Sequence, residues 1–413
     1  MILKCGYRHT QDIQFMNEKK VLYLDNEANL TILLLTTEYR DHIIGGLGRH
    51  VTDLTSEGIK RGITYIVVTI SKTDRESYKV EDGVHVFRLL PWKRKPSEFL
   101  DYIRNINFRF SQFVLQELQL SFDLIHVHDW LTGIAGSQLK DILKMPLLTT
   151  FHATEIGRKQ DQVTAITKRI IDYETKLVQA SDRIIVCSLY MKNVLINELG
   201  CPIEKLEVIP NGVIPKNYQA IMLNEDVRNR FPFINSPFLF AMGRLVKEKG
   251  FQLFIHAFSE IHQEFPDFIL VIAGKGPFES ELKQLTKKFN LENKVIFTGF
   301  LHDLERNTLL KHCDMLVIPS LYEPFGIIAL EGMAAAKPTV AFNIGGLGEI
   351  LAEKRGILIN EANSKSLAEI LRKYLSQPDQ YREIAYKGFQ SVNSEYNWSL
   401  LIDETADVYK NMI

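Results

Sequence analysis

The chain has 413 residues, and its 49 Lys and Arg against 50 Asp and Glu leave a formal charge of −1, with 46% hydrophobic and 24% charged residues. At roughly 150 residues per domain this ordinary globular composition predicts two or three domains, and the balanced charge excludes broad nonspecific nucleic-acid binding, which needs a basic excess. Four scattered cysteines without a CxxC pair exclude a zinc-ribbon spacing and predict reduced thiols, and no apolar run approaches the ~20 residues of a membrane span or the core of a secretory leader, so a cytoplasmic protein is expected.

Residues 1–30 fit no domain pattern and read as an extension. From there short apolar runs alternate with helical patterns. TILLLTT (31–37) is the first predicted strand, and it leads into EYRDHIIGGLGRHV, where Gly45, Gly46 and Gly48 precede a helix carrying Val51, Leu54 and Ile59. Glycines at a strand-to-helix turn let backbone N–H groups approach an anion, although a tight turn that binds nothing has the same signature. Strands follow at TYIVVTI (64–70) and VHVFRLL (84–90). PWKRKP (91–96) then joins Trp92 to three basic residues, ahead of a helix with Phe99, Ile103, Ile106, Phe110 and Phe113 on one side.

Further strands are predicted at DLIHVHD (123–129), PLLTTFH (146–152), RIIVCS (183–188) and LEVIP (206–210), placing Asp129, His152 and Asn211 at their carboxyl ends. Each of the three also suits a turn or a helix cap; together they face the place where open α/β sheets bind ligands. Pro215, Pro232 and Pro237 mark a linker, giving domains at 31–215 and 238–395, a linker at 216–237 and a terminal helix at 396–413. The second domain carries strands at FLFAMG (238–243), FILVIAG (268–274), KVIFTG (294–299), MLVIPS (315–320), PTVAF (338–342) and GILIN (356–360). Continuous rather than alternating apolar runs suit parallel strands buried on both faces, so the fold class is α/β with two facing doubly wound, Rossmann-like domains.

Arg244 and Lys249 lie just past the first strand of the second domain, where the pair suits a pyrophosphate unless the loop is merely solvated. AGKGPFESEL (273–282) begins like a dinucleotide fingerprint but has Glu279 at its third glycine position, which weakens a nicotinamide reading. PSLYEPFGIIALEGMAAAKPTV (319–340) sets Glu323 before a predicted helix at Ile327–Ala335 and Glu331 inside it. Free N–H groups at Gly326, Ile327 and Ile328 would point at an anion there. Two carboxylates flanking a phosphate site suit recognition of sugar and ribose hydroxyls.

Taken in order, GGLGRHV, HVHDW, FHA, IPNGV, GRLVKEKG, IAGKGP, VIFTGF and PSLYEPFGIIALEGMAAAKP closely resemble glycosyltransferase family 4, including the glycogen synthase-like group, over about residues 31–410. The resemblance implies a GT-B fold, with the terminal helix around Trp398 crossing back onto the first domain. It implies retaining transfer of a hexose-type sugar from a nucleotide diphosphate sugar, with no metal and no cofactor beyond that co-substrate. On matching positions, Arg244 and Lys249 resemble the residues that hold the diphosphate. Glu323 resembles the glutamate beside the donor sugar, and Glu331 the one on the ribose. Phe325, Gly326, Ile327 and Ile328 resemble the phosphate-binding turn, and His152 the histidine near the sugar. Gly46 resembles the first-domain glycine that reaches the diphosphate, while Asp129 and Asn211 resemble supporting positions.

The acceptor, whether glycan, lipid-linked or small, is not specified by these motifs. The basic stretch at 91–96 suits either weak peripheral contact with a membrane or a solvated loop ahead of an ordinary core-facing helix. Ile43 stands where glycogen and starch synthases carry a lysine, which counts against glucan elongation from ADP-glucose in particular. A nucleotide-sugar epimerase of the same fold and a non-catalytic coat or binding protein are the competing readings; the paired glutamates with Arg244 and Lys249 favour transfer.

Overall fold

The computed structural model describes residues 30–93, 98–158, 164–219, 221 and 223–413. The proposed extension at the start, Cys5, and Arg94 and Lys95 of the basic stretch lie outside them. Among the described residues, β1 (Thr31–Leu35), β2 (Thr64–Ile70), β3 (Ser77–Glu81), β4 (Val84–Leu89), β5 (Leu124–His128), β6 (Leu147–Phe151), β7 (Arg183–Val186) and β8 (Leu206–Val208) form one sheet in the order β3-β4-β2-β1-β5-β6-β7-β8. A second sheet contains β9 (Phe238–Met242), β10 (Ile269–Ala273), β11 (Val295–Gly299), β12 (Met315–Ile318), β13 (Thr339–Phe342) and β14 (Ile357–Ile359), in the order β11-β10-β9-β12-β13-β14. All neighbours are parallel except β3, which runs antiparallel to β4. In both sheets the chain starts at the centre, moves outward one way and then returns to the other side of the first strand. Each sheet therefore has a switch point, between β1 and β5 in the first and between β9 and β12 in the second, and a crevice opens there at the strands' carboxyl ends.

Every strand read from the sequence is present. β3 leaves no apolar run in the sequence because SYKVE, at a sheet edge, is half-buried or exposed at every position. Its turn was legible: Asp82 and Gly83 both adopt positive φ (49° and 87°) between Glu81 and Val84, the two-residue hairpin that Asp-Gly favours.

Both faces of each sheet are covered. One face of the first sheet is closed by the helix Phe99–Gln116, whose Ile103, Ile106, Phe110 and Phe113 are buried. Most of the apolar side of this helix is therefore core, while Trp92, Phe99, Phe108 and Leu115 are exposed. The opposite face, with Ile32, Leu34 and Tyr65, is closed by the last helix, Trp398–Lys410, through Trp398, Leu401, Ile402 and Tyr409. The end of the chain thus completes the core of its beginning. Between the sheets, Lys216–Gln219 and Glu225–Arg230 are short helices rather than extended linker, and Tyr218 and Phe231 are buried. Among the described residues no helix is long and apolar enough to cross a membrane. Cys187, Cys201 and Cys313 are buried free thiols.

Candidate active site

At the switch point of the second sheet two loops meet. The loop after β9 ends at Gly250, whose φ is 70° and where a Cβ would stand 1.7 Å from the Pro319 carbonyl oxygen. Only glycine permits that approach, and it sets Lys249 beside the loop after β12. Lys249 Nζ then donates to Glu323 Oε2 at 2.7 Å, and Ser320 Oγ donates to the same oxygen at 3.2 Å. Arg244 leaves the same strand end half exposed, its one ion-pair contact among the described residues a long one to Glu248 (3.3 Å). The guanidinium is therefore free to turn toward an incoming anion, whereas the ammonium is held in place by a carboxylate.

The turn at Phe325–Ile328 lies directly after this pair. Gly326 has φ 119°, and a Cβ there would meet Leu347 Cδ2 at 2.6 Å. The helix Ile327–Ala334 starts from it, one residue shorter at its end than the predicted span. None of the N–H groups of Gly326, Ile327 and Ile328 donates to a partner among the described residues. Such unpaired donors at a helix start favour an anion.

Across the crevice, Gly46 opens the helix Gly46–Ile59, and a Cβ on it would lie 3.3 Å from Ile327 Cδ1. The two phosphate-type turns therefore face each other. The glycine turn already holds an internal anion that sequence reading missed: the Glu38 carboxylate accepts from the N–H groups of Ile44 (2.7 Å) and Gly45 (2.9 Å). Gly46 is the first amide beyond that carboxylate.

His152, Asp129 and Asn211 lie close together, each with a protein partner. Asp129 (φ 56°) accepts from the His152 backbone N–H at 2.7 Å, and burial pushes its carboxyl up to about 7. Asn211 Oδ1 lies 2.6 Å from His50 Nδ1, both buried. His152 Nε2 lies 3.0 Å from His128 Nδ1, and His126 bonds Tyr409 and Thr150 at 2.9 and 2.8 Å. Burial holds the imidazoles below their ordinary value: His50 at about 4, His126 at about 3, and His128 and His152 well below. All four are neutral at pH 7. His50, His128 and His152 present nitrogens within 4.8 Å of one another, a set that could ligate a metal. A four-coordinate zinc wants each at ~2.0–2.1 Å, however, and the direct His128–His152 bond already uses two facing nitrogens. The signal for the missed histidines was their place in HVH: two polar residues inside an otherwise apolar, fully buried strand.

Glu331 has protein partners. Tyr218 Oη donates to its Oε1 at 3.0 Å and Arg306 Nε stands 3.6 Å away, while Oε2 has no hydrogen-bond partner among the described residues. The Arg49 side chain extends this group across the crevice to Asp303 (3.1 Å), and nearby Asp53 is pushed up to about 7 by burial. Nothing in the spacing of Arg49, Tyr218 and Arg306 announces the cluster, because three separate segments supply it.

The crevice of this two-domain α/β protein is thus lined by cations, carboxylates and unpaired amides, a set suited to an anionic ligand. Residues 44–217 match the family described as Glycosyltransferase Family 4, and residues 224–391 match Glycosyl transferases group 1. An uncharacterized glycosyltransferase of Methanocaldococcus jannaschii is 32% identical over 394 residues, covering 92% of this chain and 98% of that protein. A glycogen synthase of Mycobacterium tuberculosis is 30% identical over 400 residues, covering 92% and 94%. Among solved structures, Anabaena Alr3699/HepE in complex with UDP-glucose matches with a TM-score of 0.75 at 19% identity, covering 93% of this chain and 100% of that one. The chain belongs to the family 4 glycosyltransferases and has their GT-B fold.

Proposed function

We propose that the protein is a retaining, metal-independent glycosyltransferase that moves a hexose from a nucleotide diphosphate sugar to a hydroxyl acceptor by front-face substitution. The observation that carries this is the Lys249–Glu323 pair at 2.7 Å, set between Arg244 and the unpaired amides of Gly326–Ile328. Departure of a nucleoside diphosphate develops negative charge, and a held ammonium, a guanidinium free to turn and a helix start offset that charge in the place a metal would otherwise take. Glu323, held by an ammonium and a hydroxyl, suits binding a sugar hydroxyl better than forming a covalent intermediate. The free Oε2 of Glu331 suits a ribose hydroxyl, and the amide of Gly46 closes on the diphosphate from the first domain. His152 faces the sugar. The solved Anabaena structure, a complex with UDP-glucose, supports a donor of this class.

The test is a panel of UDP-, ADP- and GDP-sugars scored for nucleoside diphosphate release, with and without glycan, lipid-linked and small hydroxyl acceptors. Release with one donor is expected, unaffected by a chelator, with a glycoside whose anomeric configuration matches the donor's. Release from no donor, together with no thermal stabilisation by any nucleotide, would sink the reading.

A further inference from the structure

His128 is fully buried in the carboxyl end of β5, and its ring lies nearly parallel to that of His152, at 18° with centroids 5.3 Å apart. One hydrogen bond joins them, from His128 Nδ1 to His152 Nε2 at 3.0 Å. His128 Nε2 is enclosed and has no partner among the described residues. Both rings are neutral, so each carries a single proton and the shared bond contains one of them. If His152 donated, His128 would have its own proton on the enclosed Nε2, leaving an orphaned buried N–H. If His128 donates from Nδ1, the atom left without a partner is a lone pair, the less rare compromise in protein interiors. The same economy holds around it. His50 Nδ1 faces the oxygen of Asn211, and His126 is bonded at both nitrogens. His50 and Trp398 pack edge-on against this group, His50 at 4.6 Å from the His152 ring and Trp398 at 5.1 Å from that of His50.

We infer that His128 is a positioning residue that locks His152 in the tautomer with its proton on Nδ1. His152 Nε2 is then spent on His128, and its Nδ1–H, which has no partner among the described residues, is a donor directed by the backbone that Asp129 anchors. The neutral ring offers a hydrogen bond to a hydroxyl of the bound sugar and does not act as a base. This consequence rests on the glycosyl-transfer reading; the lock itself does not.

The lock is read without substrate. In the full-length protein labelled with nitrogen-15 at histidine, long-range proton–nitrogen spectra assign the tautomer, and His152→Gln identifies the signals of residue 152. A protonated Nδ1 and an unprotonated Nε2 at His152 are expected, converting to a mixture or to the Nε2–H form in His128→Ala. His128→Asn, whose amide nitrogen takes the place of Nδ1, should restore the original tautomer. In the transfer assay His128→Ala should lower kcat on the order of tenfold or more with donor KM little changed, given that losing a tautomer-fixing partner costs a catalytic triad on the order of 10⁴, and His128→Asn should recover most of it. An Nε2–H tautomer in the unsubstituted protein, or the same Nδ1–H tautomer in His128→Ala, overturns the inference. The expected tautomers in a protein that turns over no nucleotide sugar support the lock and count against the proposed function instead.

Discussion

Lys249 and Glu174 show two opposite treatments of a buried or half-buried charge. Lys249 is neutralised by Glu323, and the proposed mechanism gives it the charge of the leaving group to offset. Lys249→Ala is therefore expected to cut turnover about 10²-fold, as loss of one anion-stabilising donor does; turnover near normal in a folded variant would remove it from the site. Glu174 is almost fully buried, accepts from the Glu155 N–H at 2.8 Å with one oxygen, and has no partner among the described residues for the other. Burial, followed by the nearby Asp129 and Glu155, pushes its carboxyl up to about 8. A carboxyl raised in the folded state stabilises most below its unfolded value and loses that contribution as pH rises through the folded one. Between pH 5 and 8 the protein should thus lose up to ~1.4 kcal/mol per pH unit from this group relative to Glu174→Gln, read from urea unfolding at several pH values; parallel pH profiles would refute the assignment. At this scale the sequence showed the residues whose chemistry is local, such as Arg244, Lys249 and Glu323 at strand ends. It hid Glu38, His50, Tyr218 and Arg306, whose partners come from distant segments.

Elements place these groups through a few glycines. Gly326 starts the helix Ile327–Ala334 from a backbone that other residues rarely adopt, against the side chain of Leu347. Gly326→Ala should cost about 1–3 kcal/mol of stability from the strained φ and weaken nucleotide binding more than that loss explains, since the free amides would turn away. Calorimetry on the variant with the preferred nucleoside diphosphate checks both; unchanged affinity would mean the turn does not bind the phosphates. The strands were legible because each is a short apolar run bounded by turn residues, and the parallel order followed from burial on both faces. β3 escaped because an edge strand carries half of that signal. The helix at 99–116 was legible as a helix, but its apolar stripe could not say whether it faced a core or a membrane; only the packing of Ile103, Ile106, Phe110 and Phe113 decides that.

Polar contacts cross the crevice between the two domains, beside a buried apolar cluster that both share. Arg49 meets Asp303, Tyr322 Oη contacts Thr154, Ser188 Oγ donates to the Pro324 carbonyl, and the Glu349 carboxylate accepts from Leu189 and Tyr190 at the start of the helix Leu189–Leu199. An exposed ion pair contributes ~0–1 kcal/mol and a carboxylate at a helix start ~0.3–1 kcal/mol. Contacts of this size can act as a weak latch. Arg49→Ala combined with Glu349→Ala should enlarge the radius of gyration measured by X-ray scattering, with nucleotide restoring part of the closure; an unchanged radius would show that the latch is dispensable. The return of the last helix onto the first sheet carries a different consequence, for synthesis. Ile32, Leu34 and Tyr65 emerge from the ribosome long before Trp398, Ile402 and Tyr409, which cover them. Through most of translation the first domain must carry an uncovered greasy flank while the second domain is already able to fold, which makes the nascent chain a natural client for chaperones and any early stop codon a source of sticky fragments.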